Sequence, residues 1–125
     1  MGLSAYLKGL MLRAALAGRP FEVNNVYVSL HSGIPDGDGL LEVEGGGYRR
    51  HRVTQWIVGD DGAYRNGRLL DFTDMPAVTV VGLGLWDAPK EGNFLWGGVL
   101  AEAKLLNDND IFRLSVERLR VDLVS

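Results

Sequence analysis

The fold is decided by the stretch VTVVGLGLWDAPKEGNFLWGGVL, residues 78–100, which predicts two neighbouring strands joined by a short turn. Its first part, up to Trp86, is apolar at both even and odd positions, as expected of a central strand buried on two faces. Pro89 and Gly92 are typical of the turn between the strands. Gly82 and Gly84 leave room for a large neighbour on one face, and Trp96 or Tyr48 is expected to fill it.

Short strand patterns lie on both sides of this pair. VYVSLH, YRRHRVTQWIV and LLDFT precede it, and Asn66-Gly67 predicts a tight turn between the last two. Near the C-terminus, apolar residues switch from even to odd positions at Glu117–Arg118, which predicts a bulge, a bend or a change of sheet. About six to eight strands at roughly 8–12-residue spacing indicate a β-sandwich or barrel.

The chain opens with MGLSAYLKGLMLRAALAGRP, which predicts one amphipathic helix over residues 1–17. Ser4 is the expected N-cap, and Gly18 and Pro20 end the helix. One apolar stripe follows helical spacing: Leu3, Tyr6, Leu7, Leu10 and Ala14, widened by Leu12 and Leu16. A signal peptide is the alternative interpretation, but Lys8 and Arg13 interrupt the apolar run. The predicted architecture is therefore mainly β: an antiparallel, jelly-roll-like β-sandwich with one N-terminal helix.

Composition limits the classes of function. The 125 residues, 46% hydrophobic and 23% charged, indicate a single globular domain spanning 1–125. A net charge of −3 gives no general attraction to nucleic acid or to an anionic membrane. No run approaches the ~18 apolar residues of a membrane span. The lack of cysteine excludes disulfides, thiolate chemistry and cysteine-based zinc sites.

Candidate chemical groups are few and have simple structural explanations. His31 and His51 lack further ligands at metal-site spacing. Two acidic segments offer oxygen ligands for a calcium ion, but the first lacks the full calcium-loop pattern and turn chemistry explains both. They are Asp36-Gly37-Asp38 with Glu42 and Glu44, and Asn107–Asp110. No catalytic set of residues is recognisable. We therefore expect no enzyme activity, no metal site and no cofactor.

The three tryptophans allow two interpretations. Trp faces stack on sugar rings, so Trp56, Trp86 and Trp96 form a candidate ligand platform. Trp86 and Trp96 also belong to strongly apolar strand patterns, which favours a core or subunit-interface position. The first interpretation predicts a carbohydrate- or host-receptor-binding module. The second predicts that the tryptophans have only a structural role.

The order of the motifs resembles a family of small tailed-phage virion proteins, often described as tail-fibre or tail proteins. Its marks here are the opening MGLSAYLKGLMLRAAL, the strand VYVSLHSGIP, the segment EVEGGGYRRHRV and the pair VGLGLWDAPKEGNFLWGGVL. The resemblance covers nearly the whole chain. It implies a β-sandwich subunit of a virion, with no catalytic residues to carry over.

Together these observations predict a structural component of a bacteriophage virion, assembled in the host cytoplasm. Subunit assembly would bury the helix face of Leu3, Tyr6, Leu7, Leu10 and Met11. The expected partners are other copies of the chain, as a trimer, and neighbouring virion proteins. Binding of a host surface glycan is the alternative function.

Overall fold

A computed structural model describes residues 2–35 and 39–122 of the chain. It contains one helix, α1 (Ala5–Ala17), and nine strands. The strands are β1 (Tyr27–His31), β2 (His51–Arg52), β3 (Trp56–Val58), β4 (Tyr64–Asn66), β5 (Leu70–Met75), β6 (Val78–Trp86), β7 (Phe94–Leu106), β8 (Asp110–Leu114) and β9 (Arg120–Val121). The prediction of a mainly β, antiparallel sandwich with an N-terminal helix is confirmed.

The largest sheet has the strand order β2-β1-β6-β7. Strand β6 lies between β1 and β7 and is buried from Gly82 to Trp86, as its two-sided apolar pattern predicts. The turn to β7 is closed by Asp87, whose carboxylate accepts hydrogen bonds from the backbone and side-chain amides of Asn93 at 2.7 and 2.9 Å. The stretch at residues 78–100 therefore forms the predicted hairpin at the centre of the fold.

Helix α1 begins at Ala5 and not at residue 1, because residues 2–4 run along the edge of β7. Leu3 bridges to Trp96 in antiparallel fashion, and the backbone N–H of Ser4 donates to the carbonyl of Leu95 at 2.8 Å. The N–H of Gly97 donates to Gly2 at 3.0 Å. These bonds fix the N-terminal end of the helix on the body of the protein.

The remaining strands form a three-stranded sheet, β3-β4-β9, and a two-stranded sheet, β5-β8. The chain changes sheet between β8 and β9, where Glu117 adopts a left-handed φ of 67°. Of the bulge, bend or change of sheet predicted at Glu117–Arg118, the structure has the change of sheet. The tight Asn66-Gly67 turn was predicted wrongly, because β4 and β5, on either side of it, belong to different sheets.

One apolar core joins the three sheets. Its fully buried members include Leu30 of β1, Phe72 of β5, Val80 of β6 and Leu119 next to β9. Phe72 is 1% exposed and lies at the centre of an aromatic cluster with Tyr48, His51 and Phe112. Packing of this ring holds the small β5-β8 sheet against the larger one.

The space beside Gly82 and Gly84 is occupied, but by different groups from those predicted. A Cβ at Gly84 would lie 2.7 Å from Nε2 of His31, and one at Gly82 would lie 2.6 Å from the ring of Pro35. Trp96 and Tyr48 fill neither position. Gly84 lets the polar side chains of Ser29 and His31 in β1 approach the backbone of β6 closely, and Gly82 makes room for Pro35.

Candidate assembly surface

Helix α1 is well capped at both ends. The Ser4 hydroxyl accepts a hydrogen bond from the N–H of Leu7 at 3.1 Å, as predicted for the N-cap. Gly18 ends the helix with a φ of 63°, a left-handed conformation that glycine adopts without strain. The helix is therefore well defined at both ends, and its start is held on β7 by the strand-like bonds of residues 2–4.

None of the helical residues is buried. Leu7, Leu10, Met11 and Ala14 are half-buried and recur at helical spacing, so they form the inner face toward the body of the protein. Leu3, just before the helix, and Leu7 pack against the core. Tyr6 is 44% exposed.

The predicted interface residues Leu3, Leu7, Leu10 and Met11 therefore lie largely on the side that faces this chain's own sheets. Only Tyr6 of the predicted set belongs to the exposed surface of the helix. An interface role for these five residues stays a prediction.

A second apolar face lies on the opposite side of α1. It consists of Ala5, Gly9, Leu12 and Leu16, which we name the outer stripe; all four are exposed, Leu12 by 59% and Leu16 by 82%. Leu12 and Leu16 were predicted to widen a single apolar stripe, which is wrong. At about 100° per residue they point away from Leu7, and this angular separation was the available signal for two faces.

Beneath the helix lies an apolar groove of about 390 Å³. Helix α1, the β6–β7 pair and the β3-β4-β9 sheet meet there. Its apolar lining is Leu3, Leu7, Val23, Val26, Trp56, Tyr64, Leu85, Leu95, Trp96 and Val121. Tyr64, 48% exposed, stands edge-on to Trp56 with ring centroids 6.4 Å apart. The groove places further apolar surface beside the helix.

The structure does not bring the three tryptophans together on one surface. Trp86 and Trp96 are each 8% exposed, and of these two only Trp96 lines the apolar groove. Trp56 is half-buried in the wall of the apolar groove. The candidate platform of three exposed Trp side chains is therefore not assembled on this surface.

Trp86 instead belongs to a buried polar network. Its indole N–H donates to the Ser29 hydroxyl at 2.8 Å, and the guanidinium carbon of Arg50 lies 3.8 Å from the centre of a ring of Trp86. Arg50 donates two hydrogen bonds to the Glu42 carboxylate, both at 2.9 Å. It also donates to the carbonyls of Ala88 and Glu91 in the β6–β7 turn.

Tyr48 completes the network from the other side. Its hydroxyl donates to Glu42 at 2.6 Å and accepts from the N–H of Leu30 at 3.0 Å. Burial opposes ionisation of Glu42, but the hydrogen bonds from Arg50 and Tyr48 outweigh it and lower the pKa of the carboxyl. Burial, followed by the contact with the carboxylate, raises the pKa of Tyr48. The network ties two loops to the central sheet.

Both histidines have packing and hydrogen-bonding roles. His31 Nδ1 donates to the Leu40 carbonyl at 2.7 Å, which leaves Nε2 to accept from the Ser29 hydroxyl at 2.6 Å. Burial lowers the pKa of His31. The His51 ring meets Phe72 edge-on at 4.4 Å, and burial, with the nearby Arg49, lowers its pKa. In both cases the lowered pKa favours the neutral ring.

The structure describes only one of the two acidic segments in full. Asp36 and Asp38, part of the first proposed calcium loop, lie outside the described residues. In the second, the Asp110 carboxylate accepts from the N–H of Asn107 at 2.8 Å and so closes the turn itself. Within residues 2–35 and 39–122, no three acidic or histidine side chains are grouped to hold a metal ion. No helix in that part of the chain has the length and hydropathy of a membrane span.

One protein family matches the chain over nearly its whole length. The family model described as Podophage GP4 fiber I protein gp80 matches residues 2–122. The matched range includes α1 and all nine strands described above. No match is found among curated proteins.

Proposed function

Because the chain belongs to the Podophage GP4 fiber I protein gp80 family and is therefore a structural protein of a phage tail fibre, we propose that it joins the virion through helix α1. In this proposal the sandwich is the rigid body of the subunit. The helix, fixed to β7 by residues 2–4, presents the outer stripe to a neighbouring virion subunit.

A single observation carries the proposal: α1 has apolar residues on two opposite faces, yet none of its residues is buried. Lys8 and Arg13 are its only charged residues. A surface helix normally has one apolar face toward the core and a polar face opposite, so the outer stripe is a second apolar face that the body does not cover. Covering one Leu side chain is worth about 1.5–3 kcal/mol, so Leu12 and Leu16 together supply a substantial driving force for assembly.

The proposal includes the partners predicted from the sequence. Assembly would take place in the host cytoplasm, and in it neighbouring virion proteins would cover the outer stripe. A trimer of this chain would use other apolar surface, such as Val99 and Leu105 of β7, which are 51% and 71% exposed. Cyclic symmetry is the usual arrangement of such self-contacts.

Glycan binding has weaker support. A sugar-stacking face needs exposed aromatic rings, and two of the three Trp side chains are in the core. Trp56 forms an aromatic pair with the exposed Tyr64 at the groove. Host-receptor binding would therefore be a property of this pair rather than of the three-tryptophan platform.

A complementation experiment tests the assembly proposal. Phage lacking this gene would be grown on cells that supply the chain with Leu12→Gln and Leu16→Gln. Both side chains are exposed and Gln is a good helix former, so the free energy of unfolding should change by less than about 1 kcal/mol. We expect at least about a tenfold loss of the subunit from purified particles, since about 1.4 kcal/mol of lost contact suffices.

The matched control is Ile111→Gln, which changes an apolar residue of β8 that is 54% exposed. It should enter particles at the wild-type level. Normal incorporation of the Leu12→Gln/Leu16→Gln chain, measured by quantitative mass spectrometry of the particles, would refute attachment through α1.

A further inference from the structure

We propose that the outer stripe is a helix-packing seam whose occupant is an apolar helix flanked by acidic residues, supplied by another virion protein and not by α1 of a second copy. This inference rests on the proposed function, because it takes α1 as the attachment element. It adds the chemistry of the partner, and three features of the helix support it.

The first feature is spacing. Ala5, Gly9, Leu12 and Leu16 are separated by four, three and four residues, the alternation of a and d positions in a heptad repeat. Gly9 and Leu16 occupy a positions, and Ala5 and Leu12 occupy d positions. All four are exposed, so this seam is separate from the half-buried inner face. A seam of this kind fits another helix lying alongside.

The second feature is Gly9 in the middle of the helix. A glycine there costs about 1 kcal/mol relative to alanine. A Cβ at Gly9 would meet no atom of this chain within 4 Å, and no left-handed φ requires glycine. No contact within the described chain therefore accounts for it. Absence of a side chain on an exposed helix face permits close approach of a partner backbone.

The third feature is charge. In the same heptad, Lys8 is a g residue and Arg13 is an e residue, so they flank the seam. Neither side chain takes part in an ion pair within the described part of the chain, and α1 contains no acidic residue.

Self-pairing of the stripe would bring like charges together. In a parallel pair of α1 helices, Lys8 of one copy would face Arg13 of the other. In an antiparallel pair, Lys8 would face Lys8. Charges at e and g positions set the choice of partner, so the seam favours an occupant with Glu or Asp at its flanks.

The partner chemistry can be tested with the protein itself. The chain has no cysteine, so Asp108→Cys in the exposed β7–β8 turn gives a single site for a fluorescent label. Labelled chain would be titrated with unlabelled chain of native α1 sequence or with the charge-reversed variant Lys8→Glu/Arg13→Glu. The charge-reversed α1 is the probe for an acid-flanked apolar helix, and fluorescence anisotropy would give both dissociation constants.

We expect the charge-reversed variant to bind at least about fivefold more tightly than the native sequence at low salt, with the difference shrinking toward 1 M salt. Adding Leu12→Gln/Leu16→Gln to the probe should abolish binding. If the native sequence binds itself as tightly, or if neither titrant binds, the inferred partner chemistry is wrong. The proposed function would still be tested separately, because the complementation experiment measures whether the subunit enters particles.

Two substitutions at Gly9 separate folding from docking. Gly9→Ala should increase the thermal stability of the isolated subunit, because space is available and alanine is the better helix former. Gly9→Leu adds bulk on the exposed face and should weaken binding of the charge-reversed probe about tenfold or more. Unchanged binding by the folded Gly9→Leu chain would contradict close approach of the partner at this position.

Discussion

Phe72→Ala should lower the free energy of unfolding by about 3–5 kcal/mol, a large part of the stability of a small protein. Phe72 is 1% exposed and stacks near Tyr48, with ring centroids 6.3 Å apart. It also meets His51 and Phe112 edge-on. Truncation would leave a cavity where β5 packs against the central sheet, because His51 and Phe112 are held in β2 and β8 and cannot close around it.

Urea denaturation followed by tryptophan fluorescence measures this loss. Ile111→Ala, one position before Phe112 on β8 but 54% exposed, is the matched control and should cost less than about 1 kcal/mol. Similar losses for the two variants would mean that the aromatic cluster does not hold the β5-β8 sheet in place.

Glu42→Gln should cost about 3 kcal/mol, because it leaves a buried charge without its partner. The Arg50 side chain is 7% exposed and donates two hydrogen bonds to Glu42. The Tyr48 hydroxyl donates to the same carboxylate. A neutral amide cannot accept from all three donors, since its nitrogen only donates. The loops carrying Glu42 and Arg50 should loosen together.

Asp71→Asn provides the comparison. It breaks a similar two-bond pair with Arg113, but there the two side chains are 32% and 60% exposed, and an exposed pair of this kind contributes little to stability. Both variants would be unfolded in urea at pH 7. If Glu42→Gln cost no more than Asp71→Asn, the buried network would have no special part in stability.

The sequence predicted those parts of the fold that depend on residues close together in the chain. An apolar run on both parities led to the central strand β6, and a parity break led to the change of sheet at Glu117–Arg118. Ser4 and Gly18 were recognisable as helix caps because capping depends on residues next to each other in sequence.

Features that depend on distant neighbours were not predictable in this way. Asn66 precedes a glycine and so predicted a tight turn, but it is buried and satisfies groups far along the chain. Its side-chain amide donates to the carbonyl of Ser115, and its oxygen accepts from the N–H of Leu119. Local turn chemistry gives no information on such bonds, which exist only once β9 is in place.

The orientation of α1 at the candidate site also depends on residues far away in the chain. Helical spacing identified an apolar stripe, but not which of the two apolar faces of the helix would face the body. That orientation is set by the bridge between Leu3 and Trp96 and by the bond from Ser4 to Leu95. Those contacts turn Leu7 inward and leave Leu16 exposed. The single-domain organisation over residues 1–125 stays a prediction.

The central claim, that assembly covers the outer stripe, is tested most directly by solvent accessibility of Leu16 in the virion. Leu16→Cys would give the chain its only thiol, and the rate of maleimide labelling would be compared between the isolated subunit and purified particles. Leu16 is 82% exposed in the subunit, so rapid labelling is expected there. In particles the labelling rate should fall at least about tenfold. The reagent can react only when the contact over residue 16 opens, and an opening that costs about 1.4 kcal/mol exposes the thiol about one tenth of the time. Asp108→Cys serves as the reference thiol. Equal labelling of Leu16→Cys in the free subunit and in particles would contradict assembly through α1.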